Sequence, residues 1–186
     1  MTHTAESICS TALRKLGDNP ITNLTDDSNR ARLCNAFWEG IRDSVLRAYP
    51  WNSAMARAQL AELSTAPDFE FSAQYLMPSD CLMVRKLYDY TDKWKVEGRN
   101  ILTMGSGELN IVYTKRETDT SLYDALLAEA LSARMASELS EPITQNVNLS
   151  QFFYTRYKEV LAEARSMDAQ ESSVDEFESG DLTTVR

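Results

Sequence analysis

SNRARLCNAFWEGIRDSVLRAYPW, residues 28–51, decides how the rest of the chain is read. Thr25-Asp26-Asp27-Ser28 supplies a helix start, since short polar side chains satisfy the free amides of a first turn. Leu33, Phe37, Ile41, Val45 and Ala48 then recur at helical spacing, and Pro50 ends the run just after Tyr49. Phe37 falls on that stripe and is expected in the core. Trp38 falls beside it on another face, which marks it as a candidate subunit contact, because Trp is enriched at interface centres.

Upstream, Ile8, Ala12 and Leu16 give a helix over residues 4–16, with Thr4 as its cap and Gly17 as its stop. Asp18-Asn19-Pro20 is turn chemistry, and Ile21 and Leu24 pin the following loop to the helices. Downstream of Trp51 the texture changes. Residues 53–63 place small and apolar side chains at near-alternate positions that either a strand or a continued helix could hold, and the strand is preferred. Residues 81–88 form a second. Residues 94–97 and 101–104 form a hairpin about Gly98-Arg99-Asn100, and 108–114 alternate Leu109, Ile111 and Tyr113 with polar partners. This block, 53–117, is expected to be one small antiparallel sheet.

Thr118-Asp119-Thr120-Ser121 announces a third helix, with Ser121 and Asp124 as an approximate capping box. It carries Leu122, Leu126, Ala133, Ala136 and Leu139 and is closed by Pro142. Asn148 or Ser150 opens a fourth, with Phe153, Tyr157, Val160, Leu161 and Ala164 on one face. Phe152 and Tyr154 are surplus to that face and join Trp38 as interface candidates, since a helix apolar on two sides has two neighbours. The expected architecture is α+β and mainly α. Two N-terminal helices (1–52) and two C-terminal helices (118–167) share a four-helix core, the sheet is inserted between them, and an acidic tail (168–186) extends beyond.

The chain has 186 residues, 43% apolar and 25% charged, an ordinary globular composition with a net charge of −9. So acidic a chain has no cationic excess with which to grip phosphates. No apolar run approaches the ~20 residues of a membrane span, and the first residues lack the basic and apolar regions of a secretory signal. Residues 168–186 carry six acidic residues and one basic, more than half of the net charge. The isolated Val174, Phe177, Leu182 and Val185 give this tail too little apolar surface to order alone, so another chain is expected to order it.

Catalytic chemistry finds little to use. Cys9, Cys34 and Cys81 are scattered and read as reduced thiols filling small apolar spaces. His3 is the sole histidine, which removes Ser–His and Cys–His pairs unless the terminus folds back, and removes most zinc sites. Gly105-Ser106-Gly107 lacks the rest of a phosphate loop and reads as a turn. Asp26-Asp27 offsets the positive end of the helix it precedes. Asp89 and Asp92 are a carboxylate pair of the kind that hydrolyses glycosidic bonds. Arg85, Lys86, Lys93, Lys95 and Arg99 are interspersed with acids and read as a mixed, solvated face. No enzyme, cofactor or metal site is expected.

Residues 12–17 (ALRKLG), 20–24 (PITNL), the acid-rich helix start and Tyr49-Pro50-Trp51-Asn52 together resemble the opening of the tail tubular protein A family. These are the head-to-tail adaptors, or connectors, of short-tailed bacteriophages. The order of parts and the ending DEFESGDLTTVR, residues 175–186, are similar too. The resemblance implies a virion structural protein of the phage neck, assembled in the host bacterial cytoplasm. Twelve copies would form a ring beneath the portal protein and seat the tail nozzle, with genomic DNA passing through without specific binding and no membrane involved. It further implies a C-terminal tail that reaches the portal, with Val174, Phe177, Leu182, Val185 and Arg186 as docking residues by position. Two rival classes are a polysaccharide-degrading tail protein using paired carboxylates and a small helical scaffold or regulator that forms no ring.

Overall fold

A computed structural model describes residues 3–170; the expected portal-docking positions Val174, Phe177, Leu182, Val185 and Arg186 lie outside them. The elements run α1 (Ala5–Lys15), α2 (Asn29–Ala48), β1 (Met55–Leu60), β2 (Ala73–Leu76), β3 (Cys81–Leu87), β4 (Trp94–Glu97), β5 (Asn100–Thr103), β6 (Leu109–Lys115), α3 (Ala125–Thr144) and α4 (Val147–Gln170). Helix makes up 48% of the described residues and strand 20%, so the class is α+β with helix in excess.

Helix α1 forms where the sequence places its caps. The Thr4 side chain accepts from the Ser7 amide and the Ser7 hydroxyl accepts from the Thr4 amide. At the other end Gly17 takes φ +78°, its amide donating to Arg14 O and that of Asp18 to Leu13 O, both at 3.0 Å. Helix α2 starts at Ser28, whose hydroxyl accepts from the Ala31 amide. Asp26 does not serve this helix end. Its carboxylate accepts from the Thr22 and Asn23 amides and closes the preceding loop.

The buried side of α2 departs from the expected stripe. It consists of Ala31, Cys34, Trp38, Ile41, Arg42, Val45 and Leu46, whereas Leu33 and Phe37 are half-buried and Ala48 is exposed. Both stripes share Ile41 and Val45. They differ by one residue of rotation, and adjacent Phe37 and Trp38 made either one compatible with the pattern.

Helix α3 begins later than expected. Asp119 caps a short 3-10 turn, Thr120–Leu122, and Asp124 is the cap of the helix proper, accepting from the Leu127 amide at 2.7 Å. Leu122 is consequently exposed. Pro142 does not close the helix but lies within its last turn. The Thr144 hydroxyl donates to Ser140 O and the Gln145 amide to Glu141 O, and together these keep that turn despite the donor that proline lacks. Small residues dominate the buried surface of α3: Ala128, Ala130, Ala133, Ala136, Ser132, Ser137 and Ser140. The Ser132, Ser137 and Ser140 hydroxyls donate to carbonyls of the preceding turn, so burial leaves none unsatisfied. Side chains of all four helices meet in one apolar cluster that includes Leu13, Trp38, Trp51, Leu131, Met135 and Phe153.

The middle block holds two three-stranded antiparallel sheets, β1-β6-β3 and β2-β5-β4, in place of the single one expected. β1 pairs with β6 (Arg57 opposite Val112), across a sequence distance that no local pattern reveals. β2, not identified as a strand from the sequence, pairs with β5, and β4 and β5 form the expected hairpin. Gly98 takes φ +58° at the first position of that two-residue turn. A second apolar cluster lies within the block, with Leu60, Tyr75, Val84, Ile101, Ile111 and Tyr113 among its members.

Two polar joints fasten the block to the helices. At its exit Arg116 Nε donates to Asp43 of α2 at 2.7 Å, and the Tyr123 hydroxyl donates to Glu117 O at 2.6 Å. At its entry the Asn52 amide donates to the Asp168 carboxylate at 3.1 Å, and Asn52 Nδ2 to Asp168 O at 2.8 Å. Asp168 is thus buried in the last turn of α4, and residues 168–170 belong to the helix rather than to the acidic tail. The carboxylate read as a tail charge satisfies the amide of the residue leading into the sheets.

A Cβ at Gly17 would meet no neighbour, so only the left-handed backbone opposes a side chain there. Gly17→Ala is expected to cost about 1–2 kcal/mol, read by chemical denaturation with an unchanged helical circular-dichroism signal.

Candidate interaction surfaces

Of the three interface candidates, Trp38 is spent inside its own chain. It is 6% exposed and sits in the helical cluster, so it is not a subunit contact. The one-residue rotation of the α2 stripe is the reason. Phe152 is 60% exposed and stacks edge-on against buried Phe153 with ring centroids 5.2 Å apart. Tyr154, 38% exposed, lies between two cations, with Arg134 at 5.2 Å and Lys158 at 4.9 Å from its ring centroid. At 100° per residue, exposed Tyr154 and Val147 fall on one flank of the buried stripe of α4 and Phe152 on the other, so apolar side chains that no described residue fully covers lie on both flanks.

Several of the positions considered for catalysis have structural roles. Asp89 holds a turn at φ +53°, and both it and Asp92 are exposed. The Gly105 turn is latched by Tyr90, whose hydroxyl accepts from the Met104 and Gly105 amides, while the Gly107 amide donates to Glu62. His3 is tied down through its carbonyl, which accepts from the Thr120 hydroxyl. Lys15 Nζ reaches the Ser132 hydroxyl at 2.7 Å, a nucleophile–base distance. The same ammonium donates to Glu129 at 2.6 Å, however, and Ser132 is buried. That arrangement ties α1 to α3.

All three cysteines are buried. Cys9 and Cys34 meet between α1 and α2; the thiol hydrogen bond between them, together with burial, pushes Cys9 far up, and the same hydrogen bond draws Cys34 down against its own burial. Burial also raises Cys81. Among the described residues no cluster of three His, Cys, Asp or Glu side chains is placed to hold a metal ion, and no helix is long and apolar enough to cross a membrane.

The basic cluster expected as one mixed face is divided by the fold. Lys93 pairs with Glu70 and holds its carboxyl below the usual range. Lys95 pairs with Glu97 at 2.7 Å, and Arg99 donates to the Cys81 and Pro78 carbonyls. Arg85 and Lys86 point elsewhere and join Arg47 and Arg57, which the sequence reading did not include. Arg85 Nε donates to the Thr114 hydroxyl at 2.7 Å and its Nη2 to Arg47 O at 2.8 Å, while Arg47 donates to Leu82 O. Desolvation and the adjacent Arg47 charge both lower the Arg85 pKa. Among the described residues none of these four cations forms an ion pair. The alternation of Arg57 and Gln59 with Ala56 and Ala58 in β1 was the available signal.

No family model matches the chain, and no curated protein matches it.

The two α4 and α2 aromatics separate core from surface. Trp38→Ala is expected to cost about 3–5 kcal/mol, whereas Phe152→Ala stays within about 0.5 kcal/mol in the isolated chain, both read by urea denaturation.

Proposed function

We propose that this chain is a structural head-to-tail adaptor of a tailed bacteriophage. Twelve copies close a ring beneath the portal, join the capsid to the tail nozzle and surround the channel through which genomic DNA leaves. The protein acts without catalysis, in the neck of the virion, after assembly in the host cytoplasm. In each copy two helical pairs close a four-helix core, the sheet block stands between them, and the C-terminal tail docks on the portal.

The observation that carries this reading is the exposed aromatic surface flanking the buried stripe of α4, with Phe152 exposed directly beside buried Phe153. A ring requires two different faces per copy in heterologous contact, and uncovered aromatic surface on a bundle helix supplies one of them. The resemblance of residues 12–24 and 49–52 to adaptor sequences adds the kind of ring. The acidic tail, with its spaced hydrophobes, suits a segment that folds on a partner and meets its ordering cost there. A net charge of −9 leaves the chain no overall cationic excess with which to grip DNA phosphates.

Mixing the full chain with its cognate portal and imaging the product by electron microscopy tests this. A twelve-fold ring capping the portal is the expected result, and a mixture in which the chain stays monomeric overturns it. Removing residues 172–186 is expected to abolish attachment while leaving circular dichroism unchanged; attachment at full affinity refutes the docking role of the tail.

A further inference from the structure

The outward face of the β1-β6-β3 sheet concentrates positive charge in a chain whose net charge is −9. Register places Arg57 of β1 and Lys86 of β3 on either side of Val112 in β6, one row across three strands. The neighbouring row holds Gln59 of β1 opposite Asn110 of β6. The Tyr88 amide donates to Asn110 O at 2.8 Å, which brings Tyr88 alongside as the third member of that row. On the other side of the charged row lies Thr114, whose hydroxyl accepts from Arg85, and Arg85 in turn donates to Arg47 O.

The two rows differ in chemistry. Arg57 and Lys86, with Arg47 and Arg85 beside them, have no ion-pair partner among the described residues, and like charges on one face repel until an anion arrives. Lys86 Nζ stands 6.0 Å from the Tyr88 ring centroid, the outer limit of a cation–π contact, so no strong bond holds it back from a phosphate. The other row offers what a base recognises. Tyr88 is 51% exposed, and a bared aromatic ring is a platform for stacking. Asn110 and Gln59 are exposed beside it; Gln59 Nε2 donates to Glu108 at 2.8 Å, which leaves its carbonyl oxygen as an acceptor. Arg57, Gln59, Tyr88, Asn110 and Val112 together line a shallow groove of about 290 Å³, the small end of ligand sites. Two residues along a strand span about 7 Å, the reach from a base to its own phosphate. The rows therefore match one nucleotide unit in chemistry and in spacing. A duplex turns its bases inward and would meet only the cations, and a carboxylate-bearing peptide has no use for a ring flanked by amides.

We propose that this face binds single-stranded nucleic acid. One base stacks on Tyr88 with its edge toward Asn110 and Gln59, and its sugar lies over Val112. The phosphates are held by Arg57 and Lys86, and Arg47 and Arg85 continue the track toward the helices. Because the chain as a whole has no cationic excess, the binding is local and salt-dependent. This goes beyond the adaptor reading, which needs no such site, and its test uses the full chain without any portal.

Fluorescence anisotropy of a short labelled oligothymidylate, titrated with the full chain, is the test. The slope of log affinity against log salt is expected to be about −2, for roughly three phosphates neutralised on a single strand. Arg57→Gln/Lys86→Gln is expected to weaken binding about ten-fold, for a normal strand and an abasic one alike. Tyr88→Ala is expected to weaken the normal strand roughly ten-fold and leave an abasic strand of equal length unaffected, which separates stacking from charge. All three side chains are exposed, so circular dichroism should not change. No binding at ~1 mM chain in low salt overturns the proposal, since even non-specific sites fill at that concentration. So does a duplex that binds as tightly as the strand and ignores Tyr88→Ala, or polyglutamate that displaces the strand as well as unlabelled strand does. Either result makes the face a plain anion-attracting surface.

Discussion

Helix α3 can exist only if it is surrounded. Its buried surface is built largely of alanine and serine, which contribute little apolar area each but permit close approach of backbones, and it contacts all three other helices. A helix of this composition gains little from burying one stripe. It is stabilised by packing density on several sides at once, with Leu127, Leu131, Met135 and Leu139 as the larger fillers. The positions of α1, α2 and α4 follow from it. Charged ties such as Lys15–Glu129 sit at the rim of that packing, where they fix orientation more than they add stability.

Locally encoded features were readable in advance. Thr4, Gly17, Ser28 and Gly98 each do what their side chain or lack of one dictates within a few residues. The four-residue spacing of Phe153, Tyr157, Leu161 was equally plain. Features set by distant partners were not. Trp38 and Phe37 could not be ranked until α3 and α4 chose a side of α2. Asp168 reads as one more acid in an acidic stretch until Asn52, far away in sequence, presents an unsatisfied amide. The second sheet was hidden because β2 is four residues long and its partner β5 is met only after another strand and a hairpin. The interface candidates fared according to the same division: Phe152 and Tyr154 are exposed as their spacing implied, and Trp38 is not.

Charge is distributed unevenly over this molecule, and the unevenness organises its surfaces. Acids and bases in the β4–β5 region neutralise one another in short-range pairs, while the sheet face near the helices keeps its cations unmatched. Exposed aromatic surface is divided between the sheet block, at Phe69, Tyr88 and Trp94, and the first half of α4, at Phe152 and Tyr154. Cations without ion-pair partners among the described residues on one sheet face, exposed aromatics on α4 and in the sheet block, and an acidic C-terminal sequence thus occur in separate parts of the chain.

The joint between Asp168 and Asn52 has a mechanical consequence. A pull on α4 at Asp168 passes through its hydrogen bonds to Asn52, the residue leading into the first sheet. The load is therefore shared between the helical core and the strands.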